Sequence, residues 1–299
     1  MSEPVAVSIS KPAAIVQPRR TLVRLRYAAP KILATLFALL LAAVWIGPLA
    51  LMVITSIKPN SEFLNGPFAL PIAPTLEPYV KVWEGLKFGV LMQNSLLYAA
   101  TGSALAVGLA VVPAFALSRF EPPGKKYIFA LLLTGLMLPQ QTVLIPLYDM
   151  LRWLHLFDTR IGLIIVHGVY GMPSQILILR GFMTTIPRDI EKAAQIEGAT
   201  DFQIFTKVIL PLAVPGIVVG YTLNFIAIWK EFVFALVFLN SESIFPVTVG
   251  MLKLNSDRYI SAFNLPSAGL VISQIPIAIL FIFAYRWISS GNFVGSVKG

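Results

Sequence analysis

Of 299 residues, 57% are hydrophobic and only 12% are charged, a larger apolar share and about half the charge of an ordinary soluble domain. The net charge of +9 is not gathered on one polar domain, which argues against nucleic-acid binding, and the absence of cysteine excludes disulfides and thiolate metal sites. Several windows exceed the roughly 20 apolar residues needed to cross a bilayer, so the chain is expected to be all-α and polytopic, with about six transmembrane helices.

Residues 1–30 are polar and basic and read as a tail. The apolar run behind them is too long for a signal-peptide core, so it is expected to stay as an uncleaved first span. That span runs from Lys31 to Ile57 and exits at Pro59, Asn60 and Ser61. Residues 58–88 hold Pro67, Pro71, Pro74 and Pro78 and read as an irregular excursion with a short helix near Tyr79–Leu86. Span two covers Leu91–Leu117, where Gly102 and Gly108 allow close helix contact. A short basic turn, Arg119–Lys126, leads to span three, Tyr127–Tyr148. Pro139 and Pro146 there free backbone carbonyls and predict a kink beside a cavity. Span four is Ile161–Phe182.

The stretch Ile186–Pro211 is the one long polar interruption that keeps helical signals from end to end. Pro187 suits a first turn, and Asp189 and Glu191 place negative charge at its positive end. Ile190, Ala193, Ala194 and Glu197 recur at helical spacing and make a narrow face of small side chains. Gly198 permits a left-handed turn, and Thr200 with Gln203 is a capping box for a second helix. Arg180, Arg188, Lys192 and Lys207 are balanced by Asp189, Glu191, Glu197 and Asp201. The segment therefore lacks the polybasic character that anionic lipid would attract, and a protein partner is the better reading. Span five runs from Val208 to Leu239, a loop covers Asn240–Asn264, and span six, Leu265–Ile288, precedes a short tail.

This topology puts both termini, residues 119–126 and residues 180–207 on one side. That side holds 15 of the 23 Lys and Arg, against 7 on the other and Lys230 inside a span, which makes it cytoplasmic.

The hairpin resembles the cytoplasmic loop of membrane subunits of binding-protein-dependent ABC importers, which reads Glu-Ala-Ala, three residues, Gly, nine residues, Ile-x-Leu-Pro. Ala193, Ala194, Gly198, Val208, Leu210 and Pro211 carry the match, while Lys192 stands at the family's Glu with Glu191 just before it. Residues 138–148 (LPQQTVLIPLY), 179–182 (LRGF), 229–232 (WKEF) and the terminal Val297-Lys298-Gly299 are similar to the carbohydrate-uptake branch, in the half that resembles the smaller maltose-type membrane subunit. Lys230 replaces the commoner Asn of that third motif.

The resemblance implies a type I ABC importer permease fold. It divides the chain into a cytoplasmic tail over 1–30, a permease domain over 31–289 with its coupling hairpin at 184–207, and a cytoplasmic tail over 290–299. It places the chain in a bacterial inner membrane beside lipid, a homologous second permease subunit, two cytoplasmic ATPase subunits that bind the ATP, and an extracytoplasmic solute-binding protein. No cofactor, metal or nucleic acid is implied. The expected ATPase-coupling residues are Glu191, Lys192, Ala193, Ala194, Gly198, Ala199, Phe202 and Phe205.

No catalytic set appears, so the chain is not read as an enzyme. Around Gly124-Lys125-Lys126, Arg119 occupies the first Gly position of a P-loop and Lys126 the Ser/Thr position, so nucleotide cannot be cradled there. His155 and His167 lack metal-ligand spacing. Lys230 and Glu231 inside span five are informative, because a mid-span charge without a partner costs about 3 kcal/mol. Glu231 shares a small and polar stripe with Gly220, Asn224, Ala227 and Ala235, and His167, Tyr170, Gly171 and Ser174 form another. With Gln140, Gln141, Trp229 and Lys230, these side chains either line a solute pathway or join helices. The rival classes are an ion-gradient transporter that uses Lys230, Glu231 and His167, an importer permease for a non-sugar solute, and a membrane-embedded enzyme.

Overall fold

The computed structural model describes residues 20–255 and 262–290, and every regular element among them is helical. The outer parts of the two expected tails, 1–19 and 291–299, lie outside the described residues. Helix α1, Arg20–Ser56, begins well before the expected Lys31. Leu36, Phe37, Val44 and Trp45 on it are exposed, as suits a helix surrounded by lipid or by another chain. Five helices are long and apolar enough to cross a membrane, or six if one bent pair counts as a single span.

From Met52 onward the chain forms a second unit. Helix α2, Asn60–Asn65, and helix α3, Glu77–Gly85, punctuate the Pro-rich excursion. Lys58 is buried there and its ammonium donates to the carbonyls of Gly66 at 2.7 Å and Ala69 at 2.5 Å. The Glu62 carboxylate accepts the N–H groups of Ile72 and Ala73. Two charged side chains thus replace the regular ladder that this proline-rich loop cannot make.

The centre of the unit is built from α4, Phe88–Arg119, α7, Arg160–Thr184, and α10, Leu210–Lys230. Small residues let these helices approach closely. A Cβ at Gly102 would lie 3.0 Å from Ile228 and 3.1 Å from His167, and one at Gly171 only 2.8 Å from the Asn224 amide oxygen.

Span three is broken rather than kinked. Helix α5, Lys125–Met137, and helix α6, Gln140–Trp153, meet at 95°. Leu138 and Pro139 are extended at the break, and the Tyr170 hydroxyl donates to the freed carbonyl of Leu138.

Span five also departs from expectation, for α10 stops at Lys230 and α11, Val233–Phe238, starts afresh. Glu231 is extended, and its carboxylate accepts the N–H groups of Phe234 at 2.7 Å and Ala235 at 3.3 Å. These are first-turn groups with no intrahelical partner. The expected stripe from Gly220 to Ala235 is therefore split between two helices.

The loop after α11 carries α12, Val247–Gly250, and α13, Asn264–Ser290, completes the fold. At this end of the unit Asn94 donates to the carbonyls of Ser243 and Phe245, Tyr98 donates to Ile244 O, and Ser95 Oγ accepts the Val247 N–H. Asp158 accepts from the Asn240 and Ser241 N–H groups and from the Ser241 hydroxyl.

Candidate functional site

At the opposite end of α4 lies the hairpin. Helix α8, Arg188–Ile196, starts after Pro187, and Gly198 turns the chain at φ +85°. Thr200 and Gln203 close the expected capping box at the start of α9, Asp201–Ile204. A π-helical turn, Phe205–Ile209, then feeds α10.

The eight residues expected to couple to an ATPase divide between two faces. Lys192, Ala193, Gly198 and Phe202 are exposed, and Phe202 at 73% is joined by Ile196 at 87%. Ala194, Ala199 and Phe205 instead pack inward, against an apolar cluster that includes Phe115, Met183, Ile186 and Ile204.

Glu191 also turns inward. Its carboxylate meets the Arg119 guanidinium at 2.6 Å, and the two side chains are only 13% and 5% exposed. Held by this internal cation, the carboxylate faces its own chain and not the exposed side of α8. Arg119 also donates to Ile186 O, and Arg180 donates to Leu117 O while lying 4.3 Å above the Phe129 ring. Lys192, at the family's acidic position, pairs on the surface with Asp189 at 3.1 Å.

The expected pathway residues also divide. His167, Asn224 and Trp229 are buried inside this chain. Asn224 reaches Ser103 at 3.5 Å, and the Trp229 indole donates to Ser273 O at 3.1 Å. His167 Nε2 stands 3.9 Å from the Glu231 carboxylate. Ser174 is half-buried and donates to Gly171 O one turn back.

Tyr170 is half-buried and joins the two broken spans. Its hydroxyl meets Leu138 O, and its ring packs edge-on against Phe234, 5.2 Å between centroids. Gln140 is half-buried at the first turn of α6, and Gln141 and Lys230 are exposed.

Gln175 was not anticipated. It is 1% exposed, and its amide oxygen sits where a Cβ on Gly220 would come within 2.5 Å. The spacing of Gly171 and Gln175 on α7 against Gly220 and Asn224 on α10 is the signal that would have located it. Among the described residues, no group of three His, Cys, Asp or Glu could hold a metal.

Residues 106–293 match the family described as binding-protein-dependent transport system inner membrane component. The trehalose transport system permease of Mycobacterium tuberculosis is 33% identical over 261 residues, covering 87% of this chain and 93% of that protein. The sulfoquinovosyl glycerol transport system permease of Agrobacterium fabrum is 32% identical over 87% of this chain and 89% of its own length. The fold is similar to a chain in the crystal structure of a bacterial ABC transporter involved in import of the acidic polysaccharide alginate. There the TM-score is 0.73 at 24% identity, covering 91% of this chain and 99% of that one.

Proposed function

Since this chain belongs to the family of binding-protein-dependent transport system inner membrane components, we propose that its solute is a carbohydrate or a carbohydrate-like molecule, handed over by an extracytoplasmic binding protein. The chain itself is a multi-pass permease subunit. Relatives named for trehalose and for sulfoquinovosyl glycerol support the sugar class. The topology of Lys and Arg supports a cytoplasmic hairpin and cytoplasmic termini. In this reading a homologous second permease completes the pathway and two ATPase subunits dock from the cytoplasm.

The observation that carries the proposal is the hairpin. Gly198 turns it tightly, and Ile196 and Phe202 leave it as exposed apolar side chains flanking the turn. Such anchors suit a groove on a partner. We assign docking to Ile196, Gly198 and Phe202, with Lys192 and Ala193 beside them, while Ala194, Ala199 and Phe205 hold the hairpin to its own chain.

A pathway shared by two permease subunits runs between them, so its lining is exposed when one subunit is considered alone. On that argument Gln140, Gln141, Tyr170 and Lys230 are the pathway candidates here. His167, Ser174, Asn224, Trp229 and Glu231 join the helices instead.

The test is uptake into proteoliposomes that hold this subunit, its second permease and the ATPases, with the binding protein outside and a panel of labelled sugars. Uptake should require internal ATP and survive collapse of ion gradients. Uptake that ignores ATP and stops with the gradient overturns the reading.

A further inference from the structure

Resting on the importer reading, we propose that Arg119 is a positioning residue whose ion pair with Glu191 makes α4 the rod that carries hairpin movement to the loop at 243–247.

Both ends of such a rod are present. At one end Arg119 closes α4 and meets Glu191 of α8 at 2.6 Å, with both side chains nearly excluded from solvent. Each partner also suits its own helix, since a cation favours a C-terminus and an anion the first turns of an N-terminus. The Arg119 guanidinium donates to Ile186 O, so the same group grips the entry to the hairpin. Arg180 reaches Leu117 O, which ties the last turn of α4 to α7 as well. The hairpin thus cannot shift far without moving the end of α4 or breaking a buried ion pair.

At the other end, three successive inward positions of α4 hold one short loop. Asn94 binds the carbonyls of Ser243 and Phe245 at 3.0 Å each, Tyr98 binds Ile244 O at 2.7 Å, and Ser95 accepts from Val247 N at 2.8 Å. Arg160 at the start of α7 adds a bond to Asn94 Oδ1 at 3.1 Å. From Asn94 to Arg119 the single helix α4 advances 25 residues, about 38 Å at 1.5 Å per residue.

A continuous helix held at both ends couples them, and the one proline inside it, Pro113, lies within two turns of the Arg119 end. The sequence anticipated contact between Glu191 and an ATPase. The geometry turns that carboxylate around, so that the ATPase pushes on the exposed face of the hairpin and Glu191 passes the displacement inward.

The chain contains no cysteine, so a single Val90→Cys, at the exposed position in the first turn of α4, reports movement at the far end. In the complete complex in proteoliposomes, its reaction rate with a membrane-impermeant maleimide is compared without nucleotide and with ATP trapped by vanadate. We expect a change of about threefold or more with Arg119 present. Arg119→Gln should abolish this change while the ATPases still co-purify and hydrolyse ATP, and Arg119→Lys should restore much of it. The double change Arg119→Met with Glu191→Leu, which replaces the charges with packed apolar atoms, should restore it also.

An unchanged response in Arg119→Gln overturns the proposal, as does a labelling rate in the parent that ignores nucleotide. Loss of ATPase co-purification in Arg119→Gln overturns it too, because the pair would then belong to docking itself. A parent complex that neither binds nor hydrolyses ATP would instead sink the importer reading on which the proposal rests.

Discussion

The Glu231 carboxylate accepts the backbone N–H of Phe234 at 2.7 Å, and this bond turns a charge inside a span into the cap of a new helix. The same carboxylate reaches Ala235 N, and the Glu231 carbonyl accepts from the Thr248 hydroxyl at 2.9 Å. Side chain and backbone thus secure the break between α10 and α11 on two sides.

Glu231→Ala should therefore destabilise the permease by about 1–2 kcal/mol, the usual loss when a capping acceptor is removed. Glu231→Gln should retain part of that, because its amide oxygen can still accept one N–H. Thermal unfolding of the purified subunit measures the order Glu, Gln, Ala. Normal stability in Glu231→Ala together with lost uptake would return this residue to the solute pathway.

Phe202 is 73% exposed, so Phe202→Ala should leave stability within about 0.5 kcal/mol while weakening recovery of the ATPases in a pull-down. Ala194→Trp should act in the opposite way. Ala194 packs against the apolar cluster under the hairpin, and overpacking there should cost about 1–3 kcal/mol of stability. Equal pull-down by Phe202→Ala and its parent would remove Phe202 from the docking face.

Much of this hairpin was legible in the sequence. Gly198 announced the turn, and Thr200 and Gln203 announced the helix start, because both signals act over a few residues. The pairing of Glu191 with Arg119 was not legible, since it joins distant helices and depends on which face of α8 is buried. The same limit applies to the stripes. Periodicity placed Asn224 and His167 on small and polar faces, but it could not say whether those faces met a pathway or each other. Pro139 marked the break between α5 and α6. The break at Glu231 carries no Pro or Gly, and only an acid just ahead of the Phe234 and Ala235 N–H groups hinted at it.

Asp158 gives the fold an acid-sensitive contact. Partial burial raises its pKa, but hydrogen bonds from the Ser241 hydroxyl and from the Ser241 and Asn240 N–H groups outweigh this and hold it below the usual carboxylate range. A carboxyl depressed in the folded state adds stability above its unfolded pKa and loses it as pH falls through the folded value. The melting temperature of the parent should thus fall with acidification more steeply than that of Asp158→Asn. Parallel curves for the two would show that this contact does not contribute to acid sensitivity.

Lys230 is the last residue of α10 and is exposed. Its neighbour Glu231 lies 3.9 Å from His167, and His167 is seven residues along α7 from Arg160, about 10 Å from that helix end. A cation at this depth is costly against lipid unless it snorkels or meets water or an anion. No hydrogen bond or ion pair holds its ammonium among the described residues, so Lys230→Asn should leave the stability of the subunit within about 0.5 kcal/mol. Under the proposed pathway assignment uptake should change instead, because the exposed end of α10 loses its charge. Measuring thermal stability of the assembled complex beside initial uptake rates separates the alternatives. A complex that comes apart in Lys230→Asn would place the ammonium in an ion pair with the second permease, and unchanged stability with unchanged uptake would leave it a lysine that snorkels to the membrane surface.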